Sequence, residues 1–487
     1  MMGLLLASST FTAAFALSIA VFAQPGEQAP STPPAPVQQE KTQPQSTPRS
    51  EPKPSDAKPE PKAPEPSAPA PQDAGKPTPA EPPAQQPAIA PPAPIKPAEG
   101  SEFMTLRIAT FNLGDVHTSD LETKDQPRLK RLAEVIQRIR PNVIFLNEIT
   151  YDVPGTLGIA ADAQGGQNAK KFIENYLSIP QSPGLRPILY NAFMAPVNTG
   201  ISSGYDLDNN GKVVTTYPTP KPAKPDGTHE EATQDQRDYG GDCWGFGTFP
   251  GQYGMALLVD SRLKIMADEA RTFRLMPWDF IPGALLPYKA DGTPWLSTEE
   301  QRDFRLSSKS HWDVPVKLPN NATVHFLCSH PTPPVFDGPE DRNGKRNHDE
   351  IRFWADYIEN ASYIVDDTNT PGGLDKRAHF VIIGDLNADA NEGESYKNPI
   401  QSSLLTSRRL HEDNPPVSFT DIYGLEPDDT SSFKLRVDYI LPARTLGVLK
   451  SGVWREAPLD PATGNKMNFP SDHFPVWMEL LVPNEGE

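Results

Sequence analysis

Cysteine is nearly absent, with only Cys243 and Cys328 among 487 residues. That count excludes the disulfide-stapled class of small secreted domain. One bridge is all it allows. Cys328 ends the apolar run Val324-His-Phe-Leu-Cys328, where a buried free thiol is expected, and nothing in the pattern brings Cys243 to it. Runs of lysine or arginine are also missing, and the net charge is -18. Tight binding of a nucleic-acid polymer by counterion release therefore has no basic stripe to rest on, although an acidic nuclease working through divalent cations is not excluded. No repeat at a solenoid period is present.

Proline, by contrast, is abundant and uneven: 24 of the 57 fall in residues 24–100, among Ala, Glu, Gln, Lys and Ser. So little aromatic or β-branched surface cannot offset the entropy of ordering, and residues 24–103 read as a disordered, partly polyproline linker. Such a linker reaches on the order of 200 Å at ~3.1 Å per residue, enough to carry a domain through a cell-wall layer, and a plain flexible spacer is an equal reading. Residues 1–23 are apolar and end in Val21-Phe22-Ala23, the small-residue pattern of a signal peptidase site. They lack a preceding Lys or Arg and are long enough to remain as an uncleaved anchor, so a signal peptide is expected with a membrane anchor as the alternative. Either places the folded part, residues 104–487, outside the cytoplasm: periplasmic, cell-surface or secreted. The linker holds three of the negative charges, which leaves the domain at -15.

Within the domain, short apolar runs alternate with helical periodicity. Leu106–Asn112 reads as a strand, Pro127–Arg140 as a helix with Leu129, Leu132, Ile136 and Ile139 on one face, and Val143–Ile149 as the next strand. This β-α-β unit delivers Asn112 and Glu148 at the carboxyl ends of its strands, where ligands of α/β sheets bind. Residues 150–250 lack periodicity and form an insertion. Its Asp206-Leu-Asp208-Asn-Asn210-Gly211 matches the front half of a calcium loop, but position twelve is Tyr217, so an Asn-Gly turn is the plainer reading. Further strands are expected from Tyr253 to Val259, at Trp312–Lys317 and Thr323–Ser329 as a hairpin, at His379–Asp385, at Phe433–Leu441 and at Phe474–Leu481. Asn347 with Glu350 reads as a capping box opening a helix whose buried stripe is Ile351, Trp354, Ala355, Ile358 and Val365.

Polar residues collect at these strand ends: Asn112, Glu148, His330, Asp385, Asn387, Asp438, Asp472 and His473. A lone strand-end Asn or Asp is usually a turn or cap. The ordered set is different. An Asp-x-Asn supplies a base or hard ligand with an amide to hold substrate, and an Asp-His supplies a second carboxylate with an imidazole that can meet a phosphate.

In their flanks, Phe-Asn-Leu, Asn-Glu-Ile, Ser-His-Pro, Gly-Asp-Leu-Asn-Ala-Asp, Arg-Val-Asp-Tyr-Ile-Leu and Ser-Asp-His-Phe-Pro-Val, the chain from Leu106 to Val482 resembles the endonuclease/exonuclease/phosphatase superfamily. The resemblance implies an α/β four-layer sandwich, two mixed β-sheets packed face to face and flanked by helices, and phosphoester hydrolysis with Mg2+ or Mn2+. It implies Glu148 as the cation ligand with Asn112 close by and Asp472 completing the shell or forming a second weak site, and Asp385 as the base that orients and deprotonates the attacking water. It further implies Asn387 as a phosphate donor, His473 oriented by Asp438, and His330 at the leaving group or an equatorial oxygen. Asn142 and Asn147 depart from the family's usual Asp and Gln, and the insertion departs more. His311 reads equally as a pocket residue or a satisfied core histidine, His348 belongs to a helix start, and Arg342 and Arg346 read as a solvated loop or as phosphate contacts. Trp278–Leu286 is a candidate membrane-docking loop or a core loop. Three functions are consistent with this: a phosphodiesterase or nuclease, a phosphomonoesterase or phospholipase on small or lipid phosphoesters, and a non-catalytic binding protein on the same fold. No stable protein partner is expected.

Overall fold

The computed structural model describes residues 103–411, 415–460 and 462–484. Every described residue belongs to one unit, within Ala80–Glu487. The expected signal peptide and linker lie outside the described residues.

Strand alternation builds the layers. One sheet, in spatial order, contains β11 (Gly447–Val453), β12 (Val476–Pro483), β1 (Phe103–Val116), β2 (Val143–Ile149), β4 (Met255–Asp260) and β3 (Tyr190–Phe193). The other contains β10 (Asp438–Pro442), β9 (His379–Asp385), β8 (Thr323–Ser329), β7 (His311–Lys317) and β5 (Lys264–Ile265), with β6 (Arg271–Thr272) also paired to β7. Leu106, Ile108, Val143, Phe145 and Leu257 of the first sheet meet Val314, Phe326, Val381 and Ile383 of the second in the central core. Their odd-and-even neighbours face outward. Phe111, Ile144, Leu146 and Leu258 pack on α1 (Pro127–Ile139) with α2 (Asn168–Phe172), whereas Phe380 and Ile382 pack on the last helix. Period-two burial on both faces thus produces the four-layer α/β sandwich.

The insertion and the segment after it add two short helices, α3 (Gln234–Gly241) and α4 (Thr298–Asp303), before the long α5 (Arg342–Ile358). Two crossovers matter for the site: β1-α1-β2 and β8-α5-β9 each join parallel neighbours, so four strands present their carboxyl ends on one edge. At that edge Gly384 adopts φ +148°, and a Cβ there would lie 2.1 Å from the Ser329 carbonyl, so only glycine lets β9 approach β8 just before Asp385.

Several expectations are corrected. Helix α5 begins at Arg342, with Asp341 at its N-cap, so Asn347 and Glu350 are interior and form no capping box. Their side chains are drawn inward by buried carbonyl and amide partners that outcompete a cap. The helix ends at Ile358, leaving Val365 off its stripe. The strand expected from Phe433 begins at Asp438, and Arg346 is neither solvated nor turned to a substrate: its guanidinium is buried, donating to the carbonyls of Leu306, Trp244 and Arg305. Arg342 pairs with Glu340. Trp278 is buried and donates to Asp349, so that segment is held to the core, while Phe280 is exposed. His311 is a satisfied core histidine, bonded to Ser307 Oγ and the Glu350 carbonyl. Both cysteines are free and buried. Asp206 and Asp208 meet Asp242 within 4.8 Å, and Tyr217 instead stands edge-on to Tyr239. Among the described residues no helix is long and apolar enough to cross a membrane.

Candidate active site

Glu148, next to last in β2, has φ +61°, a left-handed backbone that a non-glycine residue adopts only when its surroundings enforce it. Here its Oε1 accepts from Asn112 Nδ2 (3.1 Å) and its Oε2 from the Asp115 backbone N–H (2.9 Å). The same Asn112 nitrogen donates to Asp385 Oδ2 at 3.0 Å. One amide therefore spaces the two carboxylates across the two sheets. The Asn112 oxygen accepts from Gly114 N–H (2.9 Å), and the Asn112 carbonyl accepts from Ser471 Oγ (2.8 Å). This last bond ties the Ser471-Asp472-His473 loop to β1. Gly114 leaves room for Asp472, whose Oδ1 lies 3.4 Å from where a Cβ would stand.

Asp385 is buried at the end of β9, directly opposite Asp438 in the antiparallel ladder. Facing like charges of this kind are unfavourable unless a cation intervenes. His473 is that cation: Nδ1 is 2.8 Å from Asp438 Oδ2 and Nε2 is 3.8 Å from Asp385 Oδ2. Burial alone lowers an imidazole pKa, but the charges of Asp438 and Asp385 push His473 up to about 10. Burial raises Asp438 to about 6, so it remains ionised at neutral pH. For Asp385 burial acts upward too, and the charge of His473 together with hydrogen bonds from His330 and Asn112 outweighs it, holding the carboxyl well below the ordinary range.

His330 behaves oppositely. Burial and the nearby Lys309 ammonium lower it to about 4, so it is neutral, with Nε2 3.4 Å from Asp385 Oδ2 and Nδ1 buried without a partner. Asp385 is thus the carboxylate that meets this ring, through Nε2. Asn387, at φ +53°, donates its backbone N–H to Asp385 Oδ1 (2.8 Å) and its side-chain amide to the Pro331 carbonyl (3.1 Å). Asn147 accepts from the Asp385 N–H (3.3 Å) and stands in the scaffold behind the site.

All eight sequence-predicted residues thus reach one edge of the sandwich. Sequence reasoning missed the supports. Glu350 accepts from Ser308 N–H and Thr332 N–H, both at 2.7 Å, and Asn347 donates to the carbonyls of Thr332 (2.8 Å) and Leu386 (3.0 Å). Together they fix the turns that carry His330 and Asn387. Lys309 is buried, its Nζ 3.3 Å from the Pro331 carbonyl, with its pKa lowered by burial against the charges of Glu350, Glu148 and Asp385. The i, i+3 spacing of Asn347 and Glu350 on one helix face was the available signal.

The model of the Endonuclease/Exonuclease/phosphatase family matches residues 109–473. The chain belongs to that family. Members of the Endonuclease/Exonuclease/phosphatase family are phosphoester hydrolases, generally dependent on a divalent metal. The chain is also similar to an endonuclease/exonuclease/phosphatase from Beutenbergia cavernae, at 16% identity over 78% of this chain and 72% of that one, with a TM-score of 0.42. It is similar to the human Nocturnin catalytic domain (14%, 77% and 94%, TM-score 0.39) and to a mannosyl-6-phosphatase from Bacteroides thetaiotaomicron (14%, 77% and 99%, TM-score 0.37). No curated protein matches the chain.

The donor set fits a hard divalent cation. Burial, then the charges of Asp115 and Asp472, push the half-buried Glu148 carboxyl up to about 7, while the nearby Arg128 guanidinium is spent on the carbonyls of Leu113, Asp115 and Gly227. Crowded oxygens lacking a free cation are what Mg2+ or Mn2+ prefers. Asp385, Asp438 and His473 also lie within 4.8 Å of one another, but there the imidazolium already sits between the two carboxylates, an arrangement suited to proton transfer. Linkage gives a prediction. Glu148 titrates above its ordinary 4.5, so folded protein binds the extra proton and stability falls as pH rises from 4.5 through about 7. A bound cation reverses that penalty. Saturating Mg2+ or Mn2+ should therefore raise Tm more at about pH 8 than at about pH 5.5, as thermal unfolding with and without metal measures. Equal shifts at both pH values would count against Glu148 as ligand.

Proposed function

We propose that this chain is an exported, divalent-cation-dependent hydrolase of phosphoester bonds, with diester cleavage of the phosphodiesterase or nuclease type as its first reaction. The observation that carries this is the ionised, buried Asp385 set between neutral His330 and charged His473. An acceptor and a donor of protons, both held ready in opposite states, suit attack of water on phosphorus. Asp385 orients the water and takes its proton, Asn387 donates to a phosphoryl oxygen, and His473, fixed by Asp438, donates to the charge that develops there. His330 faces the leaving oxygen. Glu148 and Asp472, with Asn112 beside them, hold the Mg2+ or Mn2+, which when bound offsets negative charge on the phosphoryl group. The apolar residues 1–23 and the proline-rich stretch support action outside the cytoplasm, with 104–487 as the catalytic domain.

A second reading, hydrolysis of monoesters or lipid phosphoesters, is favoured by the domain's charge of -15, which repels polyanions. Release of p-nitrophenol from the bis-ester and the mono-ester of phosphate, side by side, separates the two. Turnover should vanish with chelator and return with Mg2+ or Mn2+. Turnover that survives chelation would overturn the metal-dependent reading, and loss of every activity with substrate binding retained would point to the binding-protein alternative.

A further inference from the structure

We infer that a cavity beside the Glu148 carboxylate receives an uncharged, polyhydroxylated group of the substrate, a sugar or polyol carried by the phosphoester. This rests on the phosphoesterase reading. The cavity is made by the insertion, which folds back over the carboxyl end of β1. The Gly227 carbonyl accepts from Arg128 Nε (2.8 Å), and His229 Nε2 pairs with Asp120 Oδ2 (2.9 Å) while its ring stacks on His117 with centroids 3.5 Å apart. The space is about 120 Å³ and opens to solvent on the side of Lys221 and Glu231, which are exposed, with Asp115, Gln236, Gln252 and Tyr253 among its other walls.

Asp115 joins this space to the catalytic edge, because its N–H is the donor to Glu148. One of its oxygens, Oδ2, is engaged by His117 Nε2 and Gln252 Nε2, each at 2.9 Å. The other, Oδ1, is buried with no hydrogen-bond partner among the described residues. A carboxylate oxygen in that state takes its donor from an ordered water or from a ligand that displaces it. Chemistry narrows the ligand. Asp115, Glu230 and Glu231 line the cavity, and its one lysine, Lys221, is 2.9 Å from Glu230, so a second phosphate or carboxylate meets unfavourable charge. An acyl chain would leave the amide, hydroxyl and carboxylate walls unpaired. A flat base finds its imidazoles already stacked on each other. Hydroxyl groups, which donate to Asp115 and Glu231 and accept from Gln236, match the polar walls.

The experiment compares KM for glucose 6-phosphate and inositol 1-phosphate with KM for phenyl phosphate, in wild type, Glu231→Gln and Ala232→Trp, the last filling the cavity from its wall. In wild type the hydroxylated esters should have KM lower by about tenfold or more, and the advantage should shrink severalfold in Glu231→Gln and disappear in Ala232→Trp. Equal KM values in wild type, or an advantage untouched by both variants, would overturn the inference while leaving the hydrolase reading intact. Should Ala232→Trp fail to fold, Glu231→Gln alone decides. No turnover of these monoesters or of the p-nitrophenyl bis-ester of phosphate would sink the hydrolase reading instead. The cavity is then judged by saturation-transfer NMR with unphosphorylated myo-inositol and methyl glucoside on the full chain. Binding lost in Glu231→Gln supports the cavity, and absence of binding at roughly 10 mM overturns it.

Discussion

Replacing Asp385 with asparagine should lower kcat by about three orders of magnitude or more while leaving the fold in place. The amide preserves volume and keeps one of the two positioning bonds, since its single oxygen accepts from either the Asn387 N–H (2.8 Å to Oδ1 in wild type) or Asn112 Nδ2 (3.0 Å to Oδ2) while its NH2 faces the other donor. What it loses is the ability to take a proton and the charge opposite His473. General-base removal ordinarily costs about 10²–10⁴, and Asp385 also organises both histidines, which places the expected loss toward the upper part of that range. Steady-state kinetics with saturating Mg2+ and circular dichroism on the same sample check this. Activity within about tenfold of wild type would remove Asp385 as the base. If water is instead activated at the cation, the loss should recover as pH rises. The base role predicts no recovery.

Much of this site was legible because strand ends are legible. The runs Val143–Ile149 and His379–Asp385 are buried on both faces, so their apolar length announced each strand and the polar residue stopping it announced the edge. Asn112 was visible for a related reason, although β1 runs on to Val116. Side chains acting at long range were not legible. Asn347 and Glu350 satisfy the local rule for a helix start, and only the arrival of Ser308, Thr332 and Leu386 from distant segments makes interior positions better for them. Arg346 was misread by the same logic, since a charged residue in a polar stretch gives no sign that three carbonyls will enclose it. Lys309 had no local signal at all. Its meaning comes from the carboxylates of Glu350, Glu148 and Asp385, which lie far from it in sequence. The insertion remained opaque because its contacts are polar and irregular, with no period to read.

The His473–Asp438 pair should behave as one unit. His473→Ala removes the proton donor and the cation between two facing carboxylates, so activity should drop by about 10²–10⁴, and Asp385, no longer held down by that charge, should become easier to protonate. Its activity should therefore fall off on the acid side at a higher pH than in wild type. Asp438→Asn acts more gently. It keeps a partner at Nδ1 but withdraws the largest contribution raising His473, so the imidazole loses its proton at a lower pH and the basic limb moves toward neutrality. The sign follows from the role: a group that must be protonated loses activity as pH rises through its pKa, and lowering that pKa brings the loss earlier. The double variant His473→Ala/Asp438→Asn should then be hardly worse than His473→Ala, since Asp438 contributes through the imidazole. pH–rate profiles of the three proteins on one substrate measure this. Additive losses in the double variant would mean that Asp438 acts independently, and an unmoved basic limb in Asp438→Asn would mean that His473 does not work in its charged form.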